Sequence, residues 1–124
     1  MLNDAYISEL IEKFSLLGVE RCGVIQNGKV IELENTHNNP TDNFQFEASI
    51  LETPNVTATW HTHPGGCSNL SCADYLTFSS LPDLVHYVIG TQGVWCFFVK
   101  DDMLILADDY NPLDRALSQA CSKP

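Results

Sequence analysis

The sequence predicts an α/β domain in which helices flank a single mixed β-sheet, and three observations carry that prediction. Residues 4–17 place Ile7, Leu10, Ile11, Phe14 and Leu17 at helical spacing. Residues 22–107 break instead into short β-prone runs separated by turn chemistry. A second helical segment, 71–80, lies among those runs rather than after them, and helices interspersed with strands and hairpins favour a mixed sheet with helices packed on it. The chain has 124 residues, 44% of them hydrophobic, which is enough for one ordinary domain to bury a core without disulfide or metal staples. No repeat, linker or shift in composition divides it, so residues 1–124 are read as one domain.

Taken in order, the first helix has Asn3 or Asp4 as its N-cap and Gly18 as its stop. Cys22–Gln26 and Lys29–Leu33 follow as strands, joined by Asn27-Gly28, the strongest short hairpin signal. Residues 35–43 are turn chemistry and form a loop. Phe44–Ile50 is predicted as a strand, broken by Pro54-Asn55, and Val56–His63 as another, ended by Pro64-Gly65-Gly66. Ser71 then N-caps a helix that runs to about Ser80 and is closed by Pro82. Three strands remain, Leu84–Ile89, Val94–Val99 and Met103–Ala107, the last two joined by a tight turn at Asp101-Asp102. Val94–Val99 is apolar on both faces and is expected to be central and covered. Asn111-Pro112 opens a final helix to Cys121.

Composition excludes several functions. Six Lys and Arg stand against sixteen Asp and Glu, a formal charge of −10. Such a surface repels phosphate backbones, so nucleic acid is not an expected partner, whereas a basic partner is compatible. No apolar run approaches the roughly 18 residues that a membrane span needs, and residues 1–6 lack the basic start of a secretory signal. The five cysteines, Cys22, Cys67, Cys72, Cys96 and Cys121, are odd in number and not spaced as a disulfide framework. A reducing compartment and mostly free thiols follow.

The chemistry concentrates in Trp60-His61-Thr62-His63-Pro64 and the segment through Asp74. Alternate residues of a strand share a face, so the imidazoles of His61 and His63 point the same way. Asp74 follows His63 by eleven positions. A Gly-rich turn-back brings the first helical turn, and Asp74 with it, beside the strand end. Two histidines and a carboxylate leave the fourth tetrahedral position of zinc open to water, whose pKa the metal lowers to about 7. Ser71, one helical turn before Asp74, faces the same cavity and can donate to an oxyanion. A general base must come from elsewhere, with Glu20, Glu32, Glu34 and Glu47 as rivals.

The plainer readings are that His-x-His only packs and that Ser71-x-x-Asp74 is only a capping box. The capping and metal readings compete for one carboxylate. Other metal sites fit less well: the H-E-x-x-H helix is absent, as is the C-x-x-C of nucleobase deaminases, and Cys67 and Cys72 are loosely spaced. His86 reads as a structural strand residue, His37 as solvated, Trp60 as a packing residue, and Trp95, Phe97 and Phe98 as core.

His61-Thr62-His63-Pro64, Ser71 and Asp74 together resemble H-x-H-P-x₆-S-x₂-D, the extended signature of the JAMM/MPN+ metallopeptidases, without a gap. Val19-Glu20-Arg21-Cys22-Gly23 is similar to the P-x-E-x-C-G element of the bacterial and phage branch, with Gly18 in the proline's place. Asn35, Pro40 and Phe44–Glu47 resemble its N-x-A-x-x-P-x-x-x-F-x-I loop. The resemblance covers about residues 4–106 and is to the metallopeptidase domain at the N-terminus of phage tail assembly proteins, where a cysteine-dependent cell-wall endopeptidase domain often follows. Here the sequence ends at Pro124, and the expectation is a chain without that second domain. Relatives often hold a helix in the region of Glu47–Val56, where this stretch is short and contains Pro54.

The resemblance implies an MPN/cytidine-deaminase-like architecture and a Zn²⁺ ion on His61, His63 and Asp74. Glu20 becomes the general base and Ser71 the oxyanion donor. The implied reaction is hydrolysis of a peptide or isopeptide bond in a protein or peptide substrate, either in phage tail assembly or on cell-wall peptide. Phage tail proteins are the implied partners, and the host cytoplasm or the virion tail the implied location. The alternative is a non-catalytic structural component of a phage tail tip that retains the fold.

Overall fold

The computed structural model describes residues 4–41 and 43–110; the expected N-cap at Asn3 and the expected helix 111–121 lie outside them. Two helices, a short 3₁₀ turn and six strands appear in the order α1 (Asp4–Lys13), β1 (Cys22–Gln26), β2 (Lys29–Leu33), the 3₁₀ turn (Ala48–Glu52), β3 (Val56–Thr62), α2 (Cys72–Ser79), β4 (Val85–Gly90), β5 (Gly93–Lys100) and β6 (Met103–Tyr110). The strands form one sheet ordered β2-β1-β3-β4-β5-β6. Only β3 and β4 run parallel. This is a small mixed α/β domain, and no helix among the described residues is long and apolar enough to cross a membrane.

The β1–β2 hairpin turns on Asn27 and Gly28, both at positive φ, and the β5–β6 hairpin on Asp101 and Asp102, likewise at positive φ. Two consecutive left-handed residues match the twist of the flanking strands. Parallel β3 and β4 cannot be joined by a tight turn, and α2 supplies the crossover.

Side-chain alternation sorts the sheet into two faces. Ile25, Ala58, Trp60, Tyr87, Ile89, Val94 and Cys96 form one buried cluster with Leu10 of α1. Val88 and Phe97 pack on the other face against Phe78 of α2. The expected covering of Val94–Val99 on both faces is thus present, with β5 standing between β4 and the edge strand β6. Trp60 is completely buried, and its indole N–H donates to the Ile31 carbonyl at 3.2 Å. The indole lies over Gly23, where a Cβ would stand 2.0 Å from the Ile31 oxygen and 2.7 Å from the indole nitrogen. Only glycine fits there.

Two expectations fail. The first helix stops at Lys13 rather than Leu17, and Leu16 and Leu17 are 66% and 84% exposed. Arg21, held by Glu32, donates from Nη1 to the Lys13 carbonyl and so satisfies one of the helix's last acceptors. Phe44–Ile50 is not a strand: Phe44–Glu47 joins no ladder, and a 3₁₀ turn follows at Ala48–Glu52. The Gln45 N–H donates to the Asn35 side chain and its carbonyl accepts from Thr36, so no strand partner is left for that backbone.

His86 is structural, as expected. Its Nε2–H donates to the Leu81 carbonyl at 3.1 Å, which leaves Nδ1 to accept from the Thr59 hydroxyl at 2.7 Å. The ring stacks on Phe78 with centroids 4.1 Å apart. Burial pushes its pKa down to about 4, so the folded chain keeps it neutral. His86→Leu, which orphans both partners, should cost about 1–3 kcal/mol at neutral pH. Below the ordinary histidine pKa the unfolded wild-type chain takes a proton that the folded chain refuses, so wild type loses stability down to about pH 4. The gap between the two proteins should therefore narrow on acidification, as urea denaturation at a series of pH values would show.

Candidate metal centre

His61 and His63 sit at the carboxyl end of β3, on the face that carries α2. His61 has no exposed surface. Its ring stacks on Phe44 with centroids 4.3 Å apart and meets Phe78 at 5.6 Å. The Nδ1 of His63 lies 2.7 Å from the Cys67 carbonyl. A carbonyl only accepts, so Nδ1 carries the proton and Nε2 is presented to the site, the usual way a ligating histidine is oriented.

The Gly-rich loop returns the chain to this point. The Gly66 N–H donates to the His63 carbonyl, the Thr91 N–H donates to the Gly66 carbonyl, and the buried Ser68 hydroxyl donates to Gly93. Gly90 allows the close approach, since a Cβ there would lie 2.6 Å from the backbone of residues 66–68. Helix α2 then begins with a complete capping box. Ser71 Oγ accepts from the Asp74 N–H at 3.1 Å, and Asp74 Oδ2 accepts from the Ser71 N–H at 3.0 Å.

That same Oδ2 lies 3.1 Å from His61 Nε2 and 3.0 Å from His63 Nε2, and the two nitrogens are 3.0 Å apart. The competition expected between capping and the site is thus not one of position: the oxygen that caps α2 also faces both imidazoles. A carboxylate oxygen offers about two lone-pair sites, one for the Ser71 N–H and one toward the imidazoles. Three donor atoms at these spacings fit zinc well: ligand distances of about 2.0–2.1 Å around a tetrahedron place neighbouring ligand atoms about 3.3 Å apart.

Glu20 arrives from the other side. Strand β1 pairs with β3 in the register Cys22↔His61, and two residues further along it brings Glu20 opposite His63. The pairing continues in the Thr62 N–H to Arg21 carbonyl bond and the Arg21 N–H to Thr62 hydroxyl bond. Glu20 is buried, with Oε1 3.6 Å from His63 Nε2. Glu20, His61 and His63 offer ligand atoms within 4.8 Å of one another and can hold a metal ion. The rival carboxylates lie elsewhere. Glu32 is engaged by Arg21 and Lys13, while Glu34 and Glu47 line a groove that includes none of the site histidines.

The electrostatics follow from this crowding. Burial opposes the charge on Asp74, but hydrogen bonds from both imidazoles and from the Ser71 N–H outweigh it and hold the carboxyl far below the usual carboxylate range. Burial likewise opposes a charge on His63, yet Asp74, the Cys67 carbonyl and Glu20 together raise its pKa. For fully buried His61, desolvation wins and the pKa falls. A cavity of about 340 Å³ opens on Glu20, Ser71 and Asp74, and a second of about 210 Å³ shares Glu20 and Ser71 and reaches His63.

All five residues singled out from the sequence thus meet in one place. What residue spacing alone did not assign is their support. The Asn35 side-chain amide donates to the carbonyls of Glu20 and Asn43 at 2.8 and 2.9 Å and so ties the 35–45 loop to the base of the site. Phe44 covers His61, and Cys67 contributes its carbonyl rather than its thiol. Asn35 and Phe44 carry the loop resemblance, so that pattern was the available signal for them. The four described cysteines are free. No family model and no curated protein matches the chain.

One divalent ion should bind per chain, and His61→Ala/His63→Ala should abolish binding, as metal analysis of the purified proteins would show. Metal binding needs neutral imidazoles, and the raised pKa of His63 makes protons compete from above the ordinary histidine value, so affinity should fall as the pH drops through that range. In the metal-free chain the sign reverses. The stability that charged His63 contributes is complete below the unfolded histidine pKa and is lost as the pH rises through the folded value. Denaturation of metal-free wild type beside His63→Ala, from about pH 5.5 to 9, should show the difference shrinking towards the alkaline end.

Proposed function

We propose that this chain is a zinc-dependent hydrolase of peptide or isopeptide bonds with a JAMM/MPN+ type site. The observation that carries the reading is the meeting of His61 Nε2, His63 Nε2 and Asp74 Oδ2 within 3.0–3.1 Å of one another, with the buried Glu20 carboxylate beside them. In this reading His61, His63 and Asp74 hold the metal. Bound zinc supplies a Lewis acid that makes water nucleophilic at neutral pH.

The protein's own groups do the rest. Glu20, 3.6 Å from His63, takes a proton from the attacking water and returns it to the departing nitrogen. Ser71 Oγ spends a lone pair on the Asp74 N–H, which leaves its own O–H free to donate to the carbonyl oxygen as that atom gains charge. The Cys67 carbonyl keeps His63 in the tautomer this arrangement needs, and Phe44 and Phe78 keep water from the far side of His61. By resemblance, the setting is phage tail assembly or cell-wall peptide, with phage tail proteins as the first substrates to try. The charge of −10 suits a basic partner.

The role of Glu20 separates two ligand sets, since Glu20, His61 and His63 can themselves hold an ion. Glu20→Gln should retain zinc and lose turnover by about 10²-fold or more, whereas Asp74→Asn should lose zinc. Metal analysis beside cleavage of unfolded tail proteins tests both. Loss of zinc in Glu20→Gln would make Glu20 a ligand, and retained turnover would remove it as the base.

A further inference from the structure

The cavity of about 340 Å³ beside the site is built asymmetrically. Glu20, Ser71 and Asp74 line it where it meets the site. Its large apolar lining residues are Phe44, Phe46 and Leu51 from one segment and Phe78 and Leu81 from another, with His37, Gln45 and Thr77 also lining it. The first set belongs to the 43–52 segment and the second to α2 and the turn after it. Phe44 is held in place by its stack on His61, and Phe46 lies parallel to it at 6.1 Å. The aromatic wall is therefore anchored to the same imidazole that faces the metal position. Among the described residues no lysine or arginine lines the cavity.

We infer that this cavity is a specificity subsite that receives a large apolar side chain, aliphatic or aromatic, of the substrate residue next to the cleaved bond. The inference rests on the peptidase reading for the identity of the bond, and on the cavity itself for the side chain. The volume lies at the lower end of small-ligand pockets, the scale of one large side chain with its flanking backbone. Backbone that lies along Glu20 and Ser71 can place the side chain it carries against the apolar lining. An acidic side chain meets the carboxylates of Glu20 and Asp74 with no lysine or arginine among the described lining residues to offset them. A basic one must strip its charge of water against phenylalanine and leucine, which costs more than the walls return. Large apolar side chains alone gain from burial there.

The test uses the full zinc-loaded chain and N-acetyl, N-methylamide derivatives of phenylalanine, leucine, glycine, lysine and glutamate, titrated by two-dimensional amide NMR. Phenylalanine and leucine derivatives should bind at least about tenfold tighter than the other three, with shifts centred on Phe46, Leu51 and Thr77. Thr77→Trp fills the cavity from α2, and Leu51→Glu charges its wall. Each should weaken the phenylalanine derivative about tenfold or more, while zinc content and the dispersed spectrum show that the fold is kept. Equal binding of all derivatives, lysine binding as well as phenylalanine, or affinities indifferent to both variants would overturn the subsite.

A peptide library read by mass spectrometry separates this inference from the peptidase reading. Cleavage without enrichment of apolar residues beside the cut overturns the subsite and leaves the hydrolase. Selective binding without any cleavage upholds the cavity's selectivity for apolar side chains and overturns both the hydrolase and the placing of that side chain beside a cleaved bond.

Discussion

The antiparallel register between β1 and β3 sets which side chains can meet at the end of the sheet. Cys22 lies opposite His61, and the pairing runs on through Arg21 and Thr62, so Glu20 comes up beside His63 on the α2 face. A slip of one residue would turn Glu20 to the α1 face and put Arg21 in its place, because side chains alternate along a strand. The parallel pairing of β3 with β4 adds a second demand. A crossover must follow His63, and α2 is that crossover. Its first turn comes to rest over the strand end, bringing Ser71 and Asp74. Two pairings, one antiparallel and one parallel, thus deliver three separate chain segments to a single point.

Asp74 shows how closely the fold and the site are joined. One oxygen closes the capping box that starts α2 and also faces both imidazoles. The helix N-terminus favours its negative charge, and the two histidines hold the carboxylate in its ionised form. The site is therefore positioned by contacts the helix needs in any case. His61 is locked between two aromatic rings and His63 by a backbone carbonyl. Side chains fixed by packing and by a second layer of hydrogen bonds are what a site needs to hold its geometry within a fraction of an ångström.

The loop between β2 and β3 borders the site on one side. Asn35 organises it, donating to the Glu20 and Asn43 carbonyls and accepting from the His37 and Gln45 amides. The loop then lays Phe44 on His61 and Phe46 along the neighbouring cavity. A scaffold of sheet and helix holds the clustered histidines and carboxylates, and a loop tied down at one asparagine borders them, the usual division of labour between elements and connections.

Features that depend on near neighbours in the chain were readable from the sequence. The Asn27-Gly28 and Asp101-Asp102 turns, the Ser71 cap and the common face of His61 and His63 each follow from local dihedral preferences or from the two-residue period of a strand. The failures came where distant contacts decided. The helical pattern of residues 4–17 stops at Lys13, whose carbonyl is met by Arg21, and in the alternating Phe44–Ile50 run the Gln45 backbone is bonded to Asn35 and Thr36 within the loop rather than to a strand. Residue spacing alone left four candidate carboxylates open, and the resemblance favoured Glu20; that Glu20 stands beside His63, and that the capping oxygen of Asp74 also faces both imidazoles, is seen only in the tertiary structure. Both depend on which strand pairs with which and in what register, and that is set by the packing of two sheet faces together rather than by any single segment.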